Sequence, residues 1–452
     1  MEYSAESIVK RLVSEGLDEA VVDVHSYRKS YLKIANSEVD SVVTKFEKSG
    51  SIFCSSKKRI ATTNIDSFEG KAVESAIANL HMSISNAIPK EDYNGIAKGP
   101  FKYDHACGYD KRIANFDNSL MADMAYSAIN TALANKATNV AGTLVMSKLD
   151  RHLVTSEKVD AHDSCAYSRL SLRLFNKDLS AQDIIASKRL ENMHVERFAE
   201  RIANLARYTR KKGKISSGKY DVIYTQSPGG GLFTNVNSMA CMSSVESGSF
   251  LSGKLGKIIA NRNIDIYDDG KEEELIGTGR FDDEGSPTKD TQLIDKGKFV
   301  NYLHNYSTAR KYHTKSTGNA GLVDPVPQAM VFKHWKRKKD IHELIRSIDK
   351  GIVVTNTWYT RFSNYLTGDF STVPRDITLF VRNGEVQFAI KQLGSINTVG
   401  IRISDNMLRM LDGTTYSADD STQTSSWDIG GDYYIAPSVL VEGVKVTAAN
   451  SA

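Results

Sequence analysis

The period of the hydrophobic pattern changes once along this 452-residue chain, near residue 213, and that change limits the folds open to it. Before it, helical and strand patterns alternate. Ser4 is placed as an N-cap ahead of Val9, Leu12, Val13 and Leu17 at helical spacing, with Gly16 near the stop. Residues 21–32 and 39–52 read as strands, and 64–86 begins in turn residues and continues as a helix. Leu120, Met124 and Ala128, flanked by Met121, Ala125 and Ile129, form an apolar helix stripe. Leu170, Leu172 and Leu174 alternate with Arg169, Ser171 and Arg173, the pattern of a half-buried strand. Val195, Phe198, Ile202 and Leu205 give a second amphipathic helix, while 90–117 has no clear period and reads as a long connection.

That second helix runs into the basic stretch 207–214, read as a linker, and short β-type runs dominate afterwards. Tyr220, Val222 and Tyr224 alternate. Residues 377–382 and 385–390 flank Asn383-Gly384, a two-residue hairpin signal, because both turn positions need φ > 0. The expected fold is α+β with two domains: residues 1–212 as an N-terminal α/β-type domain and 213–452 as a mainly antiparallel, curved β-sheet domain. No short repeat is visible.

Composition excludes more than it selects. Forty per cent apolar and 25 per cent charged residues with a net charge of +4 are ordinary globular values. No run of roughly 20 apolar residues could span a bilayer and no secretory h-region is present, so the expectation is a cytoplasmic protein with no membrane partner. Cys54, Cys107, Cys165 and Cys241 are scattered, which argues for reduced thiols rather than a disulfide framework or zinc ribbon.

Most chemistry-bearing patterns have local explanations. His342-Glu343 begins like a zinc motif, but position five is Arg346, and Asp340 with Glu343 makes a helix N-cap box. His304 and His313 read as a strand residue and a loop residue. Gly229-Gly230-Gly231 lacks the Gly-Lys-Ser/Thr ending of a phosphate loop and reads as a turn before a helix. The basic run 333–339 reads as a solvated loop, so no nucleic acid is expected as a partner. No Gly-x-Ser-x-Gly elbow occurs, and a zinc site would have to be assembled from residues distant in sequence. No catalytic residue is assigned.

Gly253-Lys254-Leu255-Gly256, Asp268-Asp269-Gly270, Phe281-Asp282-Asp283-Glu284-Gly285 and Thr317-Gly318-Asn319 resemble the TldD/PmbA family, the "modulator of DNA gyrase" peptidases. So does the stretch from Arg361 to Thr367-Gly368-Asp369-Phe370-Ser371 ahead of the Asn-Gly hairpin. The resemblance is faint early in the chain and specific over 249–390. In the TldD branch, a helix ending about a dozen residues before the first Ser-Gly carries His-Glu-x-x-x-His. Anchored on Ser252-Gly253 and Asp268-Asp269-Gly270, that window falls on Leu232, Phe233 and Asn237, none of which serves zinc as His and Glu do. The branch's C-terminal cysteine ligand falls near Trp427.

The resemblance therefore implies the metal-free TldE/PmbA branch: a subunit inactive alone, with no metal or cofactor of its own. It would pair with a zinc-bearing TldD-type subunit in a chamber where small or unfolded peptides are cut. Peptide-groove candidates on this reading are Arg361, Thr367, Gly368, Asp369, Ser371, Thr317, Gly318 and Asn319. The alternative is a stand-alone, homodimeric peptide-binding or regulatory protein without peptidase activity. An autonomous hydrolase has no motif behind it.

Overall fold

The computed structural model describes residues 3–103, 108–393, 398–425 and 432–448, and the chain builds three large sheets within them. The first half runs α1 (Ala5–Ser14), β1 (Glu19–Ala35), β2 (Glu38–Ser56), β3 (Arg59–Ile65), α2 (Gly70–Asn86), α3 (Lys111–Ala114), α4 (Asn118–Ala134), β4 (Asn139–Thr155), β5 (Asp160–Asn176), β6 (Leu179–Ser187) and α5 (Val195–Ala206). Ser4 caps α1, its hydroxyl accepting from Ser7 N while Ser7 returns the bond. The six strands form one antiparallel sheet in the order β3-β2-β1-β4-β5-β6.

This order reveals a duplication the sequence does not display. A helix, three antiparallel strands and a second helix occur twice, with the first strand of each set, β1 and β4, side by side at the centre; each is 17 residues long. Strand alternation puts Val22, Val24, Leu32 and Ile34 on one face, where α1 and α2 cover one end of the sheet and α4 and α5 the other.

Three strands escape the sequence reading, and β4 shows why. Leu144, Val145, Met146 and Ser147 are all buried, so the strand has no wet face there and no alternation. Among its described residues, the 90–117 connection holds only the single turn α3, capped by Asp110.

The second half contains an eleven-stranded sheet and a six-stranded sheet, mostly antiparallel. The Asn383-Gly384 hairpin forms with φ of 50° and 73°. Four expectations need correction. The basic run does not end as a free linker: Lys212–Gly213 pairs with Ala389–Ile390 at a sheet edge. Within 333–339, His334 ends one strand and Arg337–Lys338 pairs with Ser417–Ala418 in another. The glycine triplet lies inside helix α6 (Gln226–Phe233) rather than before it. His304 is not a strand residue; it is buried beside the helix that Asn305 caps. The Asp340 cap does form, with Glu343 N donating to it at 2.9 Å. Among the described residues, no helix is long and apolar enough to cross a membrane.

The halves share a core. Phe198 and Ile202 of α5 lie in one cluster with Leu170 and Leu172 of the first sheet and with Ile223, Val353, Leu379 and Leu440 of the eleven-stranded sheet. A second joint is polar. Arg151 on β4 donates Nε to both oxygens of Asp23 at 3.0 Å, Nη1 to Phe281 O at 3.1 Å and Nη2 to Asp283 Oδ1 at 2.6 Å. Its guanidinium also lies 4.8 Å from the centre of the Phe281 ring. Burial pushes the Asp23 carboxyl up, but the charge of Arg151 and the hydrogen bonds from His25 and Arg151 together outweigh it and hold the group at about 2.

Breaking a buried pair from one side leaves an uncompensated charge. Arg151→Ala is therefore expected to lower unfolding free energy by about 3–5 kcal/mol, measured by urea denaturation at neutral pH, with Arg151→Ala/Asp23→Ala recovering part of the loss. A single-variant loss no larger than that of an exposed surface pair would show that the joint does not hold the halves together.

Candidate functional site

Two regions of the second half gather the distinctive segments. The first centres on Asp268. The strand Ile264–Asp269 alternates, and with Ile264 and Ile266 facing the core, Asp268 must face it as well. A buried carboxylate needs partners, and three segments supply them. Asn237 Nδ2 donates to Oδ1 at 3.0 Å, Gln328 N at 3.0 Å, and Asn319 Nδ2 donates to Oδ2 at 2.6 Å. Burial nevertheless pushes the carboxyl up to about 6, against the opposing pull of those donors.

Asn237 belongs to α7 (Asn235–Ala240), directly after α6. On α6, Leu232 and Phe233 are buried, and Phe233 stacks on Phe332 with ring centres 5.0 Å apart. Gly230 is required by the strand Tyr433–Ala436: a Cβ there would lie 2.2 Å from ring atoms of Tyr434. The Tyr434 hydroxyl donates to Ser227 O at 2.8 Å, tying that strand to the start of α6. Leu232, Phe233 and Asn237 therefore serve packing and the Asp268 network, and these three side chains do not fit a zinc ion. Trp427 lies outside the described residues.

The second region is a cleft of about 440 Å³ between the open face of the first sheet and the second half. His25, Tyr27, Lys29 and Tyr31 alternate along β1 and line it, with Tyr167 of β5; Tyr433 and Asp283 close it from the other side. Tyr167 and Tyr433 meet edge to face at 5.7 Å. The segment 281–285 reaches the cleft through Phe281 and Asp283, while its two other carboxyls are buried away from it. Asp282 accepts Glu284 N at 3.0 Å, Ser286 N at 2.9 Å and Ala320 N at 3.0 Å. Burial still raises it to about 7. Glu284 accepts Tyr306 N at 3.2 Å and is raised by burial and then by the charge of Asp282.

The groove candidates divide. Asn319 is 1% exposed, its amide committed to Asp268 and to Val326 O, so it offers no surface. Thr317 lines a separate cavity of about 850 Å³ with His304 and Tyr312. Gly318 has φ +75°, and a Cβ would meet Pro287 O at 2.5 Å. Arg361, Thr367, Gly368, Asp369 and Ser371 form a hairpin whose outer strand, Thr357–Asn364, ends the path of the eleven-stranded sheet. Asp369 there accepts Thr367 Oγ1 at 2.6 Å and Asn406 Nδ2 at 2.9 Å. Sequence reasoning missed Arg151 and the cleft tyrosines. The available signal was the polar and aromatic series Asp23, His25, Tyr27, Lys29, Tyr31 at alternate positions of one strand.

Residues 217–448 match the family model described as the PmbA/TldA metallopeptidase C-terminal domain. The chain belongs to the TldD/PmbA family. An uncharacterised protein of Methanocaldococcus jannaschii is 23% identical over 389 residues, covering 84% of this chain and 89% of that protein. Metalloprotease PmbA of Escherichia coli O157:H7 is 27% identical over 184 residues, 40% of this chain and 38% of that one. The crystal structure of TldE from Thermococcus kodakarensis superposes with a TM-score of 0.83 at 21% identity, covering 98% and 99% of the two chains, and shares the fold.

The two inner contacts yield separate predictions. Gly230→Ala would gain about 1 kcal/mol from helix propensity alone, but overpacking against Tyr434 is expected to reverse the sign, for a net loss of about 1–3 kcal/mol in chemical denaturation. A stabilised variant would mean that the ring is free to move aside.

Asn319→Ala removes a donor from ionised Asp268, so the folded pKa rises further above its unfolded value. A raised acid loses stability as pH climbs through its folded pKa. The cost should be about 1.5–3 kcal/mol at roughly pH 8 and smaller at roughly pH 5. A pH-independent cost would mean that Asn319 acts only through Val326.

Proposed function

We propose that this chain is the non-catalytic, TldE-type subunit of a TldD/TldE-like metal-dependent peptidase that cleaves small or unfolded peptides. One observation carries the reading. Where a metal-bearing relative would need ligands and an open coordination position, α6 and α7 present Leu232 and Phe233 in packing contacts and Asn237 bound to a carboxylate. With no metal-activated water to generate there, the chain needs no cofactor, and the zinc belongs to a TldD-type partner with which it shares a chamber.

This chain contributes shape and recognition. The cleft supplies aromatic faces and fixed charges. The strand Thr357–Asn364 offers backbone groups to which an extended peptide can add, an arrangement that tolerates many sequences, with Arg361, Thr367, Gly368, Asp369 and Ser371 around it. The site of action on this reading is the cytoplasm, with neither membrane nor nucleic acid involved.

The expected outcome is background peptide hydrolysis by the purified chain, with or without added zinc. Mixing with a TldD-type subunit from the same genome should give co-eluting complex and activity that EDTA abolishes. Hydrolysis by the chain alone, at a rate that scales with its concentration and survives repurification, would refute the assignment.

A further inference from the structure

We infer that the first sheet carries a divalent transition-metal site of its own, built by Glu6, His152, Asp160 and His162 on the face opposite the cleft. The register of β4 and β5 sets His152 directly across from His162, and their rings stack with centres 3.9 Å apart and planes 13° from parallel. Asp160 lies two residues before His162 on β5 and so shares its face. Its Oδ1 sits 3.0 Å from His152 Nε2 and 3.7 Å from His162 Nε2. Glu6, in the first turn of α1, brings Oε1 to 3.8 Å from His152 Nε2.

These separations approach those of donor atoms around one ion, and rotation of the exposed His162 ring out of the stack would bring both Nε2 lone pairs to a common point. Zinc bonds of about 2.0–2.2 Å in tetrahedral geometry place neighbouring ligand atoms about 3.3–3.5 Å apart. The observed distances bracket that spacing, and the ligating atoms of His152, Asp160 and His162 all lie within 4.8 Å of one another. Two imidazoles with carboxylates form a donor set suited to Zn²⁺, Ni²⁺ or Cu²⁺ rather than Mg²⁺ or Ca²⁺. A metal takes both rings neutral.

Side-chain exposure runs from 23% for His152 to 70% for His162, so water completes the coordination and the ion exchanges freely. His152 adjoins Arg151 but faces the other way. A bound ion would therefore pin α1 to β4 and β5 behind the clamp that holds the second half. This site does not depend on the peptidase reading.

The test is isothermal titration of the EDTA-stripped, full-length chain with Zn²⁺ and with Ni²⁺ near neutral pH, together with thermal melts. One ion per chain should bind with micromolar affinity and raise Tm. Binding should weaken on acidification as the imidazoles protonate. His152→Ala and His162→Ala should each weaken binding by about tenfold or more and remove the Tm rise, while Asp160→Asn weakens it less. All three side chains are solvent-accessible, and circular dichroism of each variant confirms folding before titration. Absence of saturable binding up to millimolar metal would overturn the inference. So would stoichiometric binding that persists in the folded His152→Ala/His162→Ala variant, because it would place the ion elsewhere.

Discussion

A carboxylate that the strand pattern forces inward organises the second half of this protein. Asp268 continues the buried series Ile264, Ile266, and nothing apolar can satisfy it. Helix α7, the loop ending at Asn319 and the backbone of Gln328 all turn their N–H groups toward it. Segments far apart in sequence are thereby fixed relative to one another, and α6, just before Asn237, is fixed with them. The carboxyl still sits near 6, which shows that desolvation exceeds what the donors return. Such a network is tolerable only when every donor is in place.

The same segments determine what the chain can do. In a metal-bearing arrangement the end of α6 and the start of α7 would have to face an open, polar space. Here Phe233 lies flat on Phe332 and Tyr434 presses against Gly230. Asn237 faces Asp268, and His at that position would remove a donor from a buried acid. On the proposed reading, function is left to surfaces: the cleft under the first sheet and the strand Thr357–Asn364 that ends the path of the larger one. The Arg151 joint sets the width of the cleft, since it holds Phe281 and Asp283 against β1 and β4.

Much of this was legible beforehand, for reasons that particular residues make plain. The Ser4 cap, the α4 stripe, the alternation of Leu170, Leu172 and Leu174 and the Asn383-Gly384 turn are local signals, and the structure realises each. The family segments were legible too, as strings, but their meeting at Asp268 was not, because hydrogen bonds across 31 and 51 residues leave no periodic trace. Strand β4 hid because both its faces are covered at Leu144, Val145, Met146 and Ser147. The duplicated helix–strand arrangement hid because a fold needs only matching hydrophobic character, not matching residues. The glycine triplet was misread because its cause, the Tyr434 ring, lies two hundred residues away.

The most direct measurement is anomalous diffraction at the zinc edge from crystals of this chain in complex with a TldD-type subunit. The account predicts a strong peak at the His-Glu-x-x-x-His helix of the partner subunit and none within bonding distance of Leu232, Phe233 or Asn237. A zinc peak coordinated at or beside that window in this chain would contradict it.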